Sequence, residues 1–169
     1  MIKETLNDAI NKQINEEMYS AYLYLSMSAY FEELSLKGFA SWMKIQVQEE
    51  VAHAMGLYDY LHARDGKVVL EAIQKPNCEW NSPLEVFEAT LKHEQYITCK
   101  ISELMDVAEE AKDRAALSFL QWYIKEQVEE EATAKDILAK LKFAGSDTNA
   151  LLLIDAELGA RTFNAPVIG

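Results

Sequence analysis

The sequence predicts an all-α protein: a four-helix bundle with one long crossover between helices two and three, plus a short fifth helix. Apolar residues recur at three- and four-residue spacing over long stretches. Gly and Pro, the strongest breakers of regular structure, number only 6 and 3. This spacing fails mainly over 65–81. We expect a single domain over residues 1–169, with the bundle at about 5–145, the short helix at about 147–159 and a loose tail over 162–169.

The first two helices are predicted from about Thr5 to Leu34 and from about Ser35 to Arg64. Gly66 lies just past the second helix and is predicted to cap it. The inward-facing apolar residues are Leu6, Ile10, Ile14, Ala21 and Leu25 in the first helix, and Phe39, Met43, Leu57 and Leu61 in the second.

The later helices have clear start signals. Ser82 can cap the third helix, Pro83 suits its first position, and Glu85 completes a capping box. Asp113 can cap the fourth helix, which Gly145 ends. The inward residues are Phe87, Leu91, Ile101, Met105 and Ala108 in the third helix and Ala116, Leu120, Tyr123, Ala134, Ile137 and Leu141 in the fourth; Ser146 or Asp147 opens the fifth, whose apolar residues are Leu151, Leu152, Ile154 and Leu158.

Composition and charge exclude several classes of function. The net charge of -12 argues against nucleic acid and anionic membrane surfaces, which select basic patches. No stretch approaches ~20 uninterrupted apolar residues, so no membrane span is expected. The start of the chain lacks the apolar run of a signal peptide. Cys78 and Cys99 form no disulfide framework, which favours a cytoplasmic location.

Polar side chains interrupt the apolar stripe of each long helix near its middle. They are Glu17 in the first helix, Glu50 and His53 in the second, Glu94 in the third, and Gln127 and Glu130 in the fourth. Four carboxylates buried at one level would repel each other, and two bound cations would resolve this. Glu50-x-x-His53 places two ligands on one helical face, and carboxylates with an imidazole suit iron or manganese.

The alternative is an ordinary bundle in which these residues are solvated. A lone Glu-x-x-His on a helix usually consists of a solvated glutamate and an ordinary histidine. Metal-competent residues on four helices, all interrupting the stripe at mid-length, favour the metal site instead. A purely structural bundle would not bury this many unpaired carboxylates.

Four segments carry a resemblance to a known family: N-E-E-M-Y-S-A-Y-L-Y-L-S-M at 15–27, Q-E-E-V-A-H-A at 48–54, K-H-E at 92–94 and F-L-Q-W-Y-I-K-E-Q-V-E-E-E-A at 119–132. Through them the chain, from about Leu6 to Arg161, resembles the bacterial non-haem ferritins of the ferritin-like di-iron superfamily. The resemblance implies an iron-storage protein and ferroxidase. Such a protein would oxidise Fe(II) to Fe(III) with O2 or peroxide and would deposit ferric mineral inside a homo-oligomeric hollow shell of twenty-four subunits.

The resemblance also implies roles for individual residues. Glu17, Glu50 and His53 would hold one iron; Glu50, Glu94 and Glu130 would hold the second, with Gln127 close by. A third iron site would use Glu49, Glu126, Glu129 and Glu130, although these also suit a solvated face. Tyr24 would be a hydrogen-bonding, redox-active neighbour of the irons, and Trp122 would lie near them; core packing is the alternative for both. The short fifth helix would sit at the four-fold axis.

Two departures limit the resemblance. Haem-binding relatives carry a second Glu-x-x-His on helix four and a Met after the helix-two Glu, whereas this chain has Gln127-x-x-Glu130 and Val51. We therefore expect no haem, and Met55 is predicted to fill the core. The acidic three-fold channel of animal ferritins is not expected either, because no Asp or Glu lies between Asp113 and Glu126.

Two rival functions use the same bundle. A rubrerythrin-like peroxidase normally adds a Cys-rich module, which two isolated cysteines do not provide. A non-catalytic shell subunit would have lost ligands from the site, whereas this chain keeps the full set.

Overall fold

Residues 2–168 are described by the computed structural model, and every regular element among them is an α-helix. The helices are α1 (Glu4–Glu33), α2 (Lys37–Ala63), α3 (Pro83–Glu110), α4 (Arg114–Ala144) and α5 (Thr148–Gly159). The predicted fold class is confirmed. Met1 and Gly169, the ends of the predicted domain and tail, lie outside the described residues. In this part of the chain none of the helices combines the length and apolarity needed to cross a membrane.

The four long helices pack as two pairs. α1 lies along α2, α3 lies along α4, and α1 also contacts α3. The connection over residues 64–82 joins α2 to α3, as the long crossover requires. The short α5 packs against α2 and α4.

Three asparagines on α1 hold the start of the crossover. Asn7, Asn11 and Asn15 are spaced four residues apart, so they share one helical face. Asn7 and Asn11 both donate to the carbonyl of Lys67 and accept from backbone amides of the connection, while Asn15 donates to carbonyls further along it. The asparagine side chains form hydrogen bonds with backbone groups of the connection that have no partner in a helix or sheet. The long connection therefore runs along α1.

The end of α2 differs from its prediction. Asp65, with a φ of 54°, adopts the left-handed conformation that was expected of Gly66. The Gly66 amide donates to the carbonyl of Leu61 at 2.8 Å, closing the helix. Gly66 is needed for a different reason: a Cβ there would lie 2.8 Å from Asn7 Oδ1.

The predicted N-terminal caps of α3 and α4 are present. Ser82 Oγ accepts from the Glu85 amide at 3.1 Å, and Asp113 Oδ1 accepts from the Ala116 amide at 3.0 Å. The second bond of the predicted capping box is shifted by one residue, because Glu85 Oε2 accepts from the amide of Asn81.

The core consists of two apolar halves. One is built around the aromatic rings of Phe31, Phe39 and Phe87, and the other around aliphatic side chains such as Leu57 and Ile101. Between them lies a layer of buried polar side chains. The halves hold the helices together on either side, so this layer is fixed in place by packing.

Two inward predictions are wrong. Leu25 is 47% exposed, because the buried face of α1 continues through Tyr24 and Ser28 instead. Met55 is 46% exposed, because the buried face of α2 passes through Ala54 and Leu57. Each lies one position beyond a buried residue, where the helix has turned about 100° toward solvent.

The N-terminus of α2 is closed by α5. Leu36 offers no side-chain cap, and Asp155 on α5 accepts from the Phe39 amide at 2.9 Å. The two helices approach closely at two glycines: a Cβ on Gly38 would lie 1.6 Å from the Asp155 carbonyl oxygen, and a Cβ on Gly159 3.2 Å from Gly38 Cα. Only a residue without a Cβ fits at position 38.

We predict that Gly38→Ala destabilises the protein by about 2–3 kcal/mol, because α5 must move away from α2 to admit the methyl group. The measurement is guanidinium denaturation followed by circular dichroism. The control is Lys37→Ala on the same turn, which should change stability by less than about 0.5 kcal/mol. A Gly38→Ala variant as stable as this control would contradict the close approach.

Candidate metal centre

The polar layer contains all the side chains that the sequence predicted as ligands of two irons. Each is at least nine-tenths buried, and each of the four long helices contributes at least one of them. The layer includes Glu17, Glu50, His53, Glu94, Gln127 and Glu130. The helical periodicity of the sequence therefore predicted correctly that these side chains face inward.

Glu17, Glu50 and His53 form the tightest group. Each offers one ligand atom, and the three atoms lie within 4.8 Å of one another. His53 Nδ1 is 3.4 Å from Glu50 Oε2, as the three-residue spacing on one helical face allows. A single cation could contact all three side chains.

Neighbouring donors orient the carboxylates of Glu94 and Glu130. Gln127 Nε2 donates to Glu94 Oε2 at 3.1 Å, and the Tyr24 hydroxyl donates to Glu94 Oε1. Gln46 Nε2 donates to Glu130 Oε2 at 3.0 Å. Each carboxylate oxygen can accept more than one bond, so both groups remain able to bind a cation.

Burial and mutual repulsion raise the pKa of these carboxyls. Burial is the largest cause for Glu17 and Glu50, and repulsion adds to it: from Glu50 on Glu17, and from Glu94 and Glu130 on Glu50. Burial, then Glu94, raises the pKa of Glu130 to about 8. The layer therefore favours either bound protons or bound cations.

Two buried atoms of the layer have no hydrogen-bond partner: Glu17 Oε2 and His53 Nε2. Buried polar atoms are normally paired, and an exception calls for an explanation such as an ion. Glu17 already uses its other oxygen to accept from Gln13 at 2.9 Å. The donor set of carboxylate oxygens with one imidazole fits iron or manganese.

Comparison with known proteins identifies the family. The ferritin profile, described as a ferritin-like domain, matches residues 7–144. The chain belongs to the ferritin family. Curated relatives named bacterial non-heme ferritins confirm the sequence resemblance to that group.

Curated ferritins are similar over nearly their whole length. The chain is 46% identical to a bacterial non-heme ferritin from Bacteroides fragilis over 161 residues, covering 95% of this chain and all of the relative. It is 40% identical to a bacterial non-heme ferritin from Staphylococcus saprophyticus over 164 residues, covering 97% and 98%.

Solved ferritin structures show the same fold. An open-pore ferritin from the archaeon Archaeoglobus fulgidus has a TM-score of 0.94 and 51% identity, covering 95% of this chain and 98% of that one. A form of that ferritin engineered to be closed has a TM-score of 0.96 and 51% identity, covering 97% and 100%.

Only some of the residues that the ferritin resemblance assigns to a third iron lie close to the buried layer. Glu126 Oε1 lies 3.9 Å from His53 Nε2, and Glu130 is in the buried layer. Glu129 is exposed. Glu49 is half-buried, and its carboxylate already contacts Arg161.

The two aromatic residues predicted near the irons lie beside the candidate ligands. Tyr24 is fully buried and donates to Glu94. Burial and the Glu94 charge raise its pKa, so the hydroxyl keeps its proton. The Trp122 ring lies 5.3 Å from the His53 ring, and Tyr123 donates to the His53 carbonyl at 2.8 Å. These contacts restrict the orientation of His53 and Glu94.

Three residues that contact the centre were missed in the sequence. Gln13 precedes Glu17 by four residues, and Gln46 precedes Glu50 by four, so both interrupt the same faces as the ligands. That spacing could have revealed them. Arg161 had no such signal, because its partner Glu49 is 112 residues away.

We predict that the metal-free protein loses stability as pH rises. The pKa of Glu130 is raised from 4.5 to about 8, so the folded state holds its proton more tightly than the unfolded state. Stability from this group is complete below pH 4.5 and is lost as pH rises toward 8, at about 1.4 kcal/mol per pKa unit at most. The measurement is the Tm of chelator-treated protein between pH 5.5 and 8.

The matched control is Glu130→Gln, which keeps an acceptor for Gln46 but cannot ionise. Its Tm should vary less over the same pH range. If parent and variant show the same pH dependence, Glu130 does not titrate as described.

Proposed function

We propose that the chain stores iron: it binds two Fe(II) ions in the buried layer, oxidises them and passes Fe(III) into the interior of a shell. The observation that carries this proposal is the convergence of four carboxylates and one imidazole from four helices in one water-poor layer. The names of the relatives, bacterial non-heme ferritins, support the same function.

The charges of the layer match two divalent ions. Glu17, Glu50, Glu94 and Glu130 carry four negative charges when ionised, and two Fe(II) ions carry four positive ones. Glu17, Glu50 and His53 would hold one ion, and Glu50, Glu94 and Glu130 the other, so that Glu50 bridges the pair. Ion binding would replace the protons that the raised pKa values favour.

Oxidation of the two Fe(II) ions would end the charge balance with the four carboxylates and favour release of the Fe(III). Two Fe(II) ions supply two electrons, which reduce O2 to hydrogen peroxide or hydrogen peroxide to water. The product has six positive charges against four carboxylates, so water at the Fe(III) ions loses protons and the hydrolysed iron no longer fits the layer. Gln127 and Tyr24 would hold Glu94, and Gln46 would hold Glu130, throughout the reaction.

Neither rival function has a specific observation in its favour. A rubrerythrin-like peroxidase would pair its di-iron site with a cysteine-rich iron centre, whereas Cys78 and Cys99 are two exposed thiols on different parts of the chain. A non-catalytic subunit would lack part of the ligand set, whereas all five ligand side chains are present and buried.

The shell is the second part of the proposal. Leu152 and Leu153 on α5 are 54% and 73% exposed in the single chain. Apolar side chains on one short helix favour association with copies of the same chain. We expect native mass spectrometry to give a particle of about twenty-four chains, as the family resemblance implies. A stable monomer or dimer at micromolar concentration would contradict the shell.

We predict that Glu50→Gln and His53→Ala each slow aerobic Fe(II) oxidation about 100-fold, because each removes a ligand from the pair. The measurement is the initial rate at which the Fe(III) absorbance grows after two Fe(II) ions are added per chain. The control is Glu109→Gln, which changes an exposed carboxylate of α3 and should oxidise iron like the parent. Equal rates in all variants would show that oxidation occurs elsewhere.

A further inference from the structure

Arg161 follows α5 and reaches across to α2. Its Nη2 atom donates to both oxygens of Glu49, at 3.0 and 2.7 Å, and its Nη1 atom donates to Gln46 Oε1. The guanidinium also lies over the ring of Trp42, 5.0 Å from its centre. Three side chains of one helix therefore hold this cation in a partly buried position.

These contacts connect Arg161 to two carboxylates of the predicted third iron site. Glu49 is bound directly. Glu130 is reached through Gln46, whose amide nitrogen donates to Glu130 Oε2 at 3.0 Å while its oxygen accepts from Arg161. The positive charge of the guanidinium therefore lies close to both Glu49 and Glu130.

The unpaired atom of His53 lies on the same side of the centre. Its Nε2 atom is buried, has no hydrogen-bond partner and is 3.9 Å from Glu126 Oε1. Glu126 and Glu49 flank the centre; burial raises the pKa of Glu126 and of Glu50, and the negative charge of Glu49 raises both further. A cation is favoured there, and one protein cation already occupies part of the space.

We propose that Arg161 is a built-in competitor for the third metal ion: a metal can use Glu49 only after the guanidinium has left it. This inference rests on the proposed function, since it concerns the predicted third iron site beside the same centre. Arg161 thereby makes the third ion bind more weakly than the first two, and keeps Glu49 neutralised while the inner pair fills.

The geometry explains why arginine suits this role. One guanidinium nitrogen, Nη2, donates to both oxygens of Glu49, and its positive charge, unlike the neutral donors on Glu94 and Glu130, repels a metal ion that approaches the same oxygens. Its contacts with Gln46 and Trp42 can hold the guanidinium on α2 after it has released the Glu49 oxygens. α5 does not depend on Arg161 alone, because Asp155 and the buried Ile154 and Leu158 also fix it to the bundle.

The test is anaerobic calorimetric titration of Fe(II) into the assembled, metal-free protein. The parent should bind two ions tightly and a third weakly. In Arg161→Leu the third ion should bind about tenfold tighter, since its competitor is gone, while the first two are unchanged. Arg161→Lys keeps the positive charge but lacks the second nitrogen that donates to Gln46, so its third-ion affinity should fall between them.

Glu49→Gln is the matched control, because it removes the contested carboxylate. Adding it to Arg161→Leu should abolish the gain in third-ion affinity. If Arg161→Leu and Arg161→Lys both bind the third ion as the parent does, with the first two ions in place, the inference is overturned; should Arg161→Leu fail to fold, the Lys variant decides alone. Failure of the parent to bind the first two ions would overturn the proposed function and this inference with it.

Discussion

The candidate metal centre depends on the electrostatics of one buried layer. Four carboxylates in a water-poor interior repel each other, and each is costly to ionise without a counter-charge. Protons can neutralise them, as the raised pKa of Glu130 shows, but a pair of divalent cations matches the charge and also uses the unpaired atoms of Glu17 and His53. We propose that bound metal ions relieve the repulsion within this layer.

The surrounding core makes that repulsion tolerable. An aromatic half and an aliphatic half pack on either side of the layer and fix the four helices without help from it. Hydrogen bonds from Gln46, Gln127 and Tyr24 then orient the carboxylates. A centre preorganised in this way would lose little entropy on binding the proposed ions.

The sequence predicts most of the fold and the inner centre, since both follow from helical periodicity. Glu17, Glu50 and Glu94 interrupt apolar stripes, and a helix carries such residues inward wherever its stripe is buried. Gln46 obeys the same rule and could have been predicted. Periodicity locates a face only to within one residue, which is why Leu25 was placed inward although Tyr24 occupies that position.

The contacts of α5 could not be predicted in this way. Asp155 capping α2 and Arg161 binding Glu49 depend on how a short helix docks, and no local pattern encodes a contact across more than a hundred residues. The close approach of Gly38 to Gly159 belongs to the same joint. These contacts connect the end of the chain to the candidate metal centre, so the environment of the outer carboxylates depends on the tertiary structure.

The most direct measurement is anomalous diffraction at the iron edge from crystals soaked anaerobically in ferrous salt. The account predicts two strong peaks inside the bundle, one between Glu17, Glu50 and His53 and one between Glu50, Glu94 and Glu130. Iron found only on the surface, with these side chains unchanged and nothing bound between them, would contradict it.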